Sequence, residues 1–292
     1  LIVRFLHGIW FSILTTVTVP VANDFIPDQR KGEGMGYFVM STNLGVVFGQ
    51  LIALTTIQFT SFQMLFGILA VLISLGLIFS LILNIRELPQ AKVKTAEKSR
   101  LSLQDIIETK VLAVSFVALL TAFAYSSITS FITVFAETKQ LLAYVSLFFI
   151  VFAFSMLLVR PWVGKFYDNK GPDAVIYPSL IFFALGLVLV TLVNNQWMLW
   201  LSAVFIGIGY GSLFPCLQTL AIQAVEKQRM GHAISTFFTL FDLGLAVGSV
   251  MMGIFIAHWG YETTYMLCAM IVILTLLVYR YTISKKRTKV AI

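Results

Sequence analysis

Charge is what this 292-residue chain has least of: 11% of its residues are Asp, Glu, Lys or Arg, 59% are hydrophobic, and the mean hydropathy is +0.93. Soluble domains carry about 25% charged and roughly 45–50% apolar residues, so a water-soluble enzyme, a nucleic-acid module and a disordered tail are excluded as readings of the whole. Cysteine is nearly absent as well. Cys216 and Cys268 sit inside apolar runs, too few for a disulfide framework or a metal site. No cluster of His and Asp has metal-ligand spacing, and no Gly-rich loop carries the Lys-Ser/Thr pair that cradles a nucleotide. With no catalytic constellation, the chain reads as a non-enzyme.

What the chain does have is long apolar runs. About 20 residues cross roughly 30 Å of hydrocarbon. Nine stretches qualify: 1–22, 34–57, 62–84, 111–136, 140–161, 174–194, 196–220, 231–258 and 262–283. Continuous apolarity, in place of alternation over about ten positions, excludes a transmembrane β-barrel, so an all-α membrane protein is expected. Lys and Arg collect on the cytoplasmic side of such proteins. All of the 20 except Arg4 and Lys139 fall in connections of one side, at 30–31, 86–110, 160–170, 227–229 and 280–289. The net charge of +7 is therefore a topology signal and not a nucleic-acid footprint. It places Leu1 outside and Ile292 in the cytoplasm.

The sequence also repeats itself. Gln29 to Gly49 (QRKGEGMGYFVMSTNLGVVFG) aligns without gaps on Gln228 to Gly248 (QRMGHAISTFFTLFDLGLAVG), with identities at Gln29/Gln228, Arg30/Arg229, Gly32/Gly231, Phe38/Phe237, Leu44/Leu243, Gly45/Gly244 and Gly49/Gly248. The shift carries the second span onto the eighth and preserves orientation. This predicts two parallel six-helix halves, a plan in which the substrate site lies between the halves near the membrane midplane. Applied to residue 111, the same shift places the start of the first half before Leu1, and residue 1 is not Met. The expectation is a cut chain that lacks three spans of a twelve-span parent and is inactive alone. Its parts would be 1–84 (partial first half), 85–110 (cytoplasmic linker, read as a plain connector, with a short surface helix from Leu101 to Glu108 as the alternative), 111–283 (second half) and 284–292 (basic tail).

Two charges lie inside spans, Arg4 and Asp242. Each costs about 2.5–3.5 kcal/mol at a helix centre, so each calls for a partner, a wet cavity or a role in transport. Arg4 belongs to Arg4-Phe-Leu-His-Gly8, where Gly8 admits a close neighbour; a side chain snorkelling to the outer interface is the alternative. On a helical wheel Ser235, Asp242 and Ser249 share a face opposite Gly244 and Gly248. Gly36, Asn43 and Gln50 are divided in the same way from Gly45 and Gly49. Small residues four apart let helices approach, so the glycine face reads as packing and the polar face as cavity. A carboxyl withdrawn from water can take up and release a proton near neutral pH, as coupling to a gradient requires. An Asp held by a neighbouring helix is the alternative for Asp242. In the connection Gly164-x3-Asp168-x2-Gly171, an Asp before a Gly turn suits the N-terminus of a neighbouring helix, and a solvated turn is the alternative.

Together these motifs resemble the major facilitator superfamily, and within it the twelve-span drug/proton antiporters. Arg4-x3-Gly8 is similar to the arginine motif of the fourth span. Gly36-x8-Gly45-x3-Gly49 is similar to the antiporter motif of the fifth, with Gln50 in place of the usual Pro. Gly164-x3-Asp168-x2-Gly171 is similar to the loop motif between spans eight and nine, with Asn169 and Asp173 where basic residues are usual. The resemblance implies that the nine spans are helices four to twelve of that fold, in a multi-pass plasma-membrane protein, monomeric in the bilayer. It further implies a small-molecule substrate and a proton gradient in place of any cofactor. By the same resemblance Arg4 joins Asp242 in proton coupling, Asp168 latches the cytoplasmic side through the start of the 34–57 span, and the Gly45/Gly49 face limits leakage. Family position nominates Asn43, Phe123, Tyr125, Ser126, Tyr210 and Phe214 as cavity residues, with plain packing as the alternative for the aromatics. An apolar, Phe-rich cavity with one acidic residue suits a lipophilic or cationic compound. Proton-coupled efflux is the expected function. Ion-coupled uptake by the same fold is the alternative, and a non-transporting receptor, which needs no internal duplication, comes third.

Overall fold

Apolar runs unbroken by charge fold as helices in a membrane because the helix satisfies every backbone group within the segment. The computed structural model describes residues 2–82 and 107–285; the side chains of Arg4, Asn43 and Gln50 lie outside the described residues, as do the tail 286–292 and nearly all of the linker with the alternative helix at its end. The described residues form α1 (Ile2–Asp24), α2 (Lys31–Phe59), α3 (Phe62–Ile82), α4 (Leu112–Thr138), α5 (Val145–Lys170), α6 (Asp173–Thr191), α7 (Gln196–Gln223) and α8 (Met230–Tyr279). Short 3-10 turns introduce several of them, and no strand occurs among the described residues. Among the described residues, seven helical segments are long and apolar enough to cross a membrane.

Eight α-helices stand where the sequence predicts nine spans, and the difference lies in α8. Its 50 residues would make a straight rod of about 75 Å, more than twice the hydrocarbon thickness. At Gly260 the backbone leaves helical geometry (φ 78°, ψ 173°) and the chain turns back with no intervening loop. Both ends of α8 lie at the same end of the bundle: Arg229, just before it, pairs with Glu108, and Tyr279 donates to Asp173. Near the turn, Glu262 pairs with Lys139 at 2.7 Å, at the opposite end of the bundle.

A second correction concerns α5. The sequence counts Arg160, at the very end of the expected 140–161 span, with the 160–170 connection; the helix runs on to Lys170 and Arg160 is buried within it, 4% exposed. Arg160 therefore belongs with the charges inside spans and not with those in connections.

Polar caps fix several ends. Asn195 Oδ1 accepts the Met198 N–H at 3.0 Å at the start of α7. The repeat seen in the sequence has a local counterpart: the 3-10 turns Asp28–Arg30 and Lys227–Arg229 lead into α2 and α8 at equivalent positions of the alignment.

α7 is the central helix, buried without interruption from Gly209 to Ile222. A Cβ at its Gly207 would lie 2.5 Å from the Phe152 carbonyl oxygen, so α5 and α7 meet backbone to backbone. α3 is the outermost helix, with Leu65 as its buried residue. Val19, Met35, Ile222, Met230 and Ile234 close an apolar cluster where α1 and α2 meet the end of α7 and the start of α8. This is the basic end of the bundle, which carries Arg30, Lys31, Lys165, Lys170, Lys227 and Arg229.

Candidate functional site

Beyond that apolar cluster, away from the basic end, a cavity of about 250 Å³ opens between α1 and α2 on one side and α4, α5, α7 and α8 on the other. Its lining residues, among them Thr15, Tyr125, Phe152, Tyr210 and Asp242, sit near the middle of their helices, which is midplane depth for membrane-crossing helices. The wall is chiefly aromatic. Tyr125 and Tyr210 stack with ring centroids 3.6 Å apart, and Phe214 meets Phe241 at 4.6 Å. Such pairs contribute about 0.5–1.5 kcal/mol each beyond area burial, so this wall is stiff. Asp242 supplies the carboxylate. It is exposed to the cavity and forms no ion pair among the described residues.

The expected site residues divide. Tyr125, Tyr210, Phe214 and Asp242 come together in the cavity wall. Ser126 and Phe123 lie instead under α8: the Ser126 hydroxyl donates to the Phe123 carbonyl at 2.7 Å, and a Cβ at Gly248 would lie 2.8 Å from that same carbonyl oxygen. Gly244 likewise abuts the Leu119 backbone. By contrast, a Cβ at Gly8, Gly45 or Gly49 would meet nothing within 4 Å among the described residues. Asn43 and Arg4 carry site assignments whose side chains fall outside the described residues. Thr15, Thr18, Phe38, Thr42, Phe152, Gln218 and Phe238 line the cavity without having been singled out from sequence. For Gln218 a signal was available, an amide in an apolar run two turns after Tyr210.

The motif Gly164-x3-Asp168-x2-Gly171 acquires a geometry. A Cβ at Gly164 would lie 2.8 Å from the Glu33 Cα, so the missing side chain lets α5 touch the first turn of α2. One turn on, Asp168 Oδ2 accepts the Glu33 N–H at 3.2 Å, an anion against the positive end of the α2 dipole. Gly171 then takes φ +82° and ends α5, its N–H donating to the Tyr167 carbonyl at 3.0 Å. Asp173 accepts hydrogen bonds from Tyr279 and from Ser284 (2.7 Å), which ties the end of α8 to the start of α6.

The family model described as Major Facilitator Superfamily matches residues 1–244 and, in a second match, 142–291. The chain belongs to the Major Facilitator Superfamily. Among the superfamily's curated members, the Multidrug resistance protein MdtG of Enterobacter lignolyticus is 24% identical over 283 residues, covering 94% of this chain and 66% of that protein. The protein of the same name from Escherichia fergusonii is 28% identical over 131 residues, covering 45% of this chain and 32% of that protein. The chain thus spans from about a third to two thirds of the length of these relatives. The crystal structure of the human organic anion transporter MFSD10 (TETRAN) superposes with a TM-score of 0.75 at 14% identity, covering 90% of this chain and 67% of that one, a likeness of fold. Superfamily membership and the apolar helices make this a membrane-embedded chain.

Proposed function

We propose that the chain forms the substrate pathway of a proton-coupled multidrug exporter of the cell membrane, which moves lipophilic or cationic compounds by alternating access. The observation that carries this reading is Asp242, a carboxylate without an ion-pair partner among the described residues, facing a cavity otherwise lined largely by Phe, Tyr and Thr. An aromatic wall takes a lipophilic body, its ring faces and the carboxylate attract a cation, and the carboxylate alternates between proton and substrate as the cavity changes access. The names of the curated relatives support export of drugs. The contacts at the basic end hold the cytoplasmic side shut, with Asp168 as the latch on α2. Arg4, near the start of the cavity-lining helix α1, takes part in proton coupling. The test uses the full-length protein in proteoliposomes with an imposed pH gradient. Export of a lipophilic cation such as ethidium is expected, with gradient-driven export falling at least tenfold in Asp242→Asn. Unchanged pH-driven export in that variant would overturn the assignment.

A further inference from the structure

Gln218 stands out in the cavity wall. It is 1% exposed, and neither its amide nitrogen nor its amide oxygen finds a hydrogen-bond partner among the described residues. A buried donor or acceptor left unmet costs about 1–3 kcal/mol, so an amide with both unmet in the cavity wall is poised to be satisfied by a group that enters the cavity. The threonines of the cavity wall are in a different position. Thr15 donates to the Phe11 and Ser12 carbonyls, Thr18 to Leu14 (2.8 Å) and Thr129 to Ser126 (3.4 Å), so these hydroxyl protons are used within their own helices. Gln218 presents a donor and an acceptor side by side on one rigid plane, which a hydroxyl cannot do.

Its place relative to Asp242 sets a length. Tyr210, Phe214 and Gln218 recur at helical spacing on the cavity face of α7. Phe214 contacts Phe237, Phe238 and Phe241 of the antiparallel α8. In that register Tyr210 is level with Asp242, and Gln218 lies two turns nearer the basic end, about 12 Å along the axis. Between the two polar groups the wall is aromatic.

We propose that Gln218 is a specificity-determining residue that reads a planar amide-like group (carboxamide, lactam or urea) carried about 12 Å from the cationic centre of an aromatic substrate. This rests on the reading of the cavity as the substrate site. A substrate with such a group meets both amide atoms at once, and one lacking the N–H donors leaves the Gln218 oxygen unmet in a dry site, which is how polar pockets reject close analogues.

The test compares two probes with the full-length protein in proteoliposomes: a biphenyl bearing a trimethylammoniomethyl group at one end and a carboxamide at the other, and its isostere with acetyl in place of carboxamide. Wild type is expected to favour the carboxamide by about tenfold in kcat/KM, the worth of one unmet hydrogen bond. In Gln218→Met, and in Gln218→Leu as a second variant should the first fail to fold, that ratio is expected to fall to near one. An equal preference in wild type, or a preference that persists in a folded variant, overturns the role of Gln218 and leaves the cavity reading standing. Transport of neither probe by a wild-type protein that does export ethidium also overturns it; failure with ethidium as well sinks the cavity reading and this proposal together.

Discussion

Arg160 is buried in α5 with Nη1 unpartnered among the described residues, its guanidinium against Gly36 of α2, where any side chain would collide with it. A permanently charged group that is withdrawn from water and unpaired costs several kcal/mol. It sits at the contact between α2 and α5, so separating those helices would rehydrate it. Replacement of buried charge by an apolar side chain of similar volume is often stabilising by about 1–4 kcal/mol. Arg160→Met is accordingly expected to raise the melting temperature of the full-length protein in detergent and to slow its transport. A lowered melting temperature would show that the guanidinium has a partner in the folded state. The sequence placed Arg160 among topology markers because it stands at the end of an apolar run, next to Lys165 and Lys170. Position alone cannot tell a helix that stops at a proline from one that continues for nine residues in a bundle where neighbours satisfy the freed carbonyl.

At the scale of elements, Gly164 and Asp168 act as one device, because the absent side chain sets the approach and the carboxylate secures it. Gly164→Ala is expected to push α5 off the first turn of α2 and cut transport by an order of magnitude, at an activation cost of about 1.4 kcal/mol. It is also expected to expose a cysteine placed at Met35 to labelling from the basic side, and wild-type labelling in the variant would refute the close-approach argument. A second device joins the linker to α8. Glu108 accepts from Arg229 and from the Lys110 N–H, and its own N–H donates to Thr236 Oγ1 at 3.0 Å. The Arg229 hydrogen bond is the largest influence and holds the Glu108 carboxyl below the usual carboxylate range. The unfolded chain then binds the proton more readily than the folded one. The stabilisation is therefore complete above the ordinary glutamate value of about 4.3 and is lost as pH falls through the lower folded value. Glu108→Gln should remove the corresponding part of the acid-side fall in melting temperature, measured from about pH 6 to pH 3; an unaltered pH profile would count against the pairing.

Over the whole molecule, what was legible in the sequence follows from periodicity and polarity. Apolar runs located the helices, because hydropathy reports the one constraint a bilayer imposes everywhere. The 3-10 turns at Asp28–Arg30 and Lys227–Arg229 recur where the internal alignment places them. In the cavity, Asp242, Tyr125, Tyr210 and Phe214 were accessible as a lone acid and as aromatics at family positions. Thr15, Thr42 and Phe152 were not, since only the packed arrangement distinguishes a threonine facing the cavity from one facing a neighbour. Ser126 shows the same limit from the other side: one residue after Tyr125, it points about 100° away around the helix and packs under Gly248.

The turn at Gly260 bears on how the protein can be probed. Two membrane crossings are joined there without a loop. The tip of this hairpin, Trp259-Gly260-Tyr261, is clamped to the neighbouring helix end by Lys139 and Glu262 and offers neither a protease nor an antibody a free stretch of chain. An epitope inserted there to map sidedness would have to open the hairpin before it could be seen, so the connection between α6 and α7, residues 192–195, is the sounder place to tag.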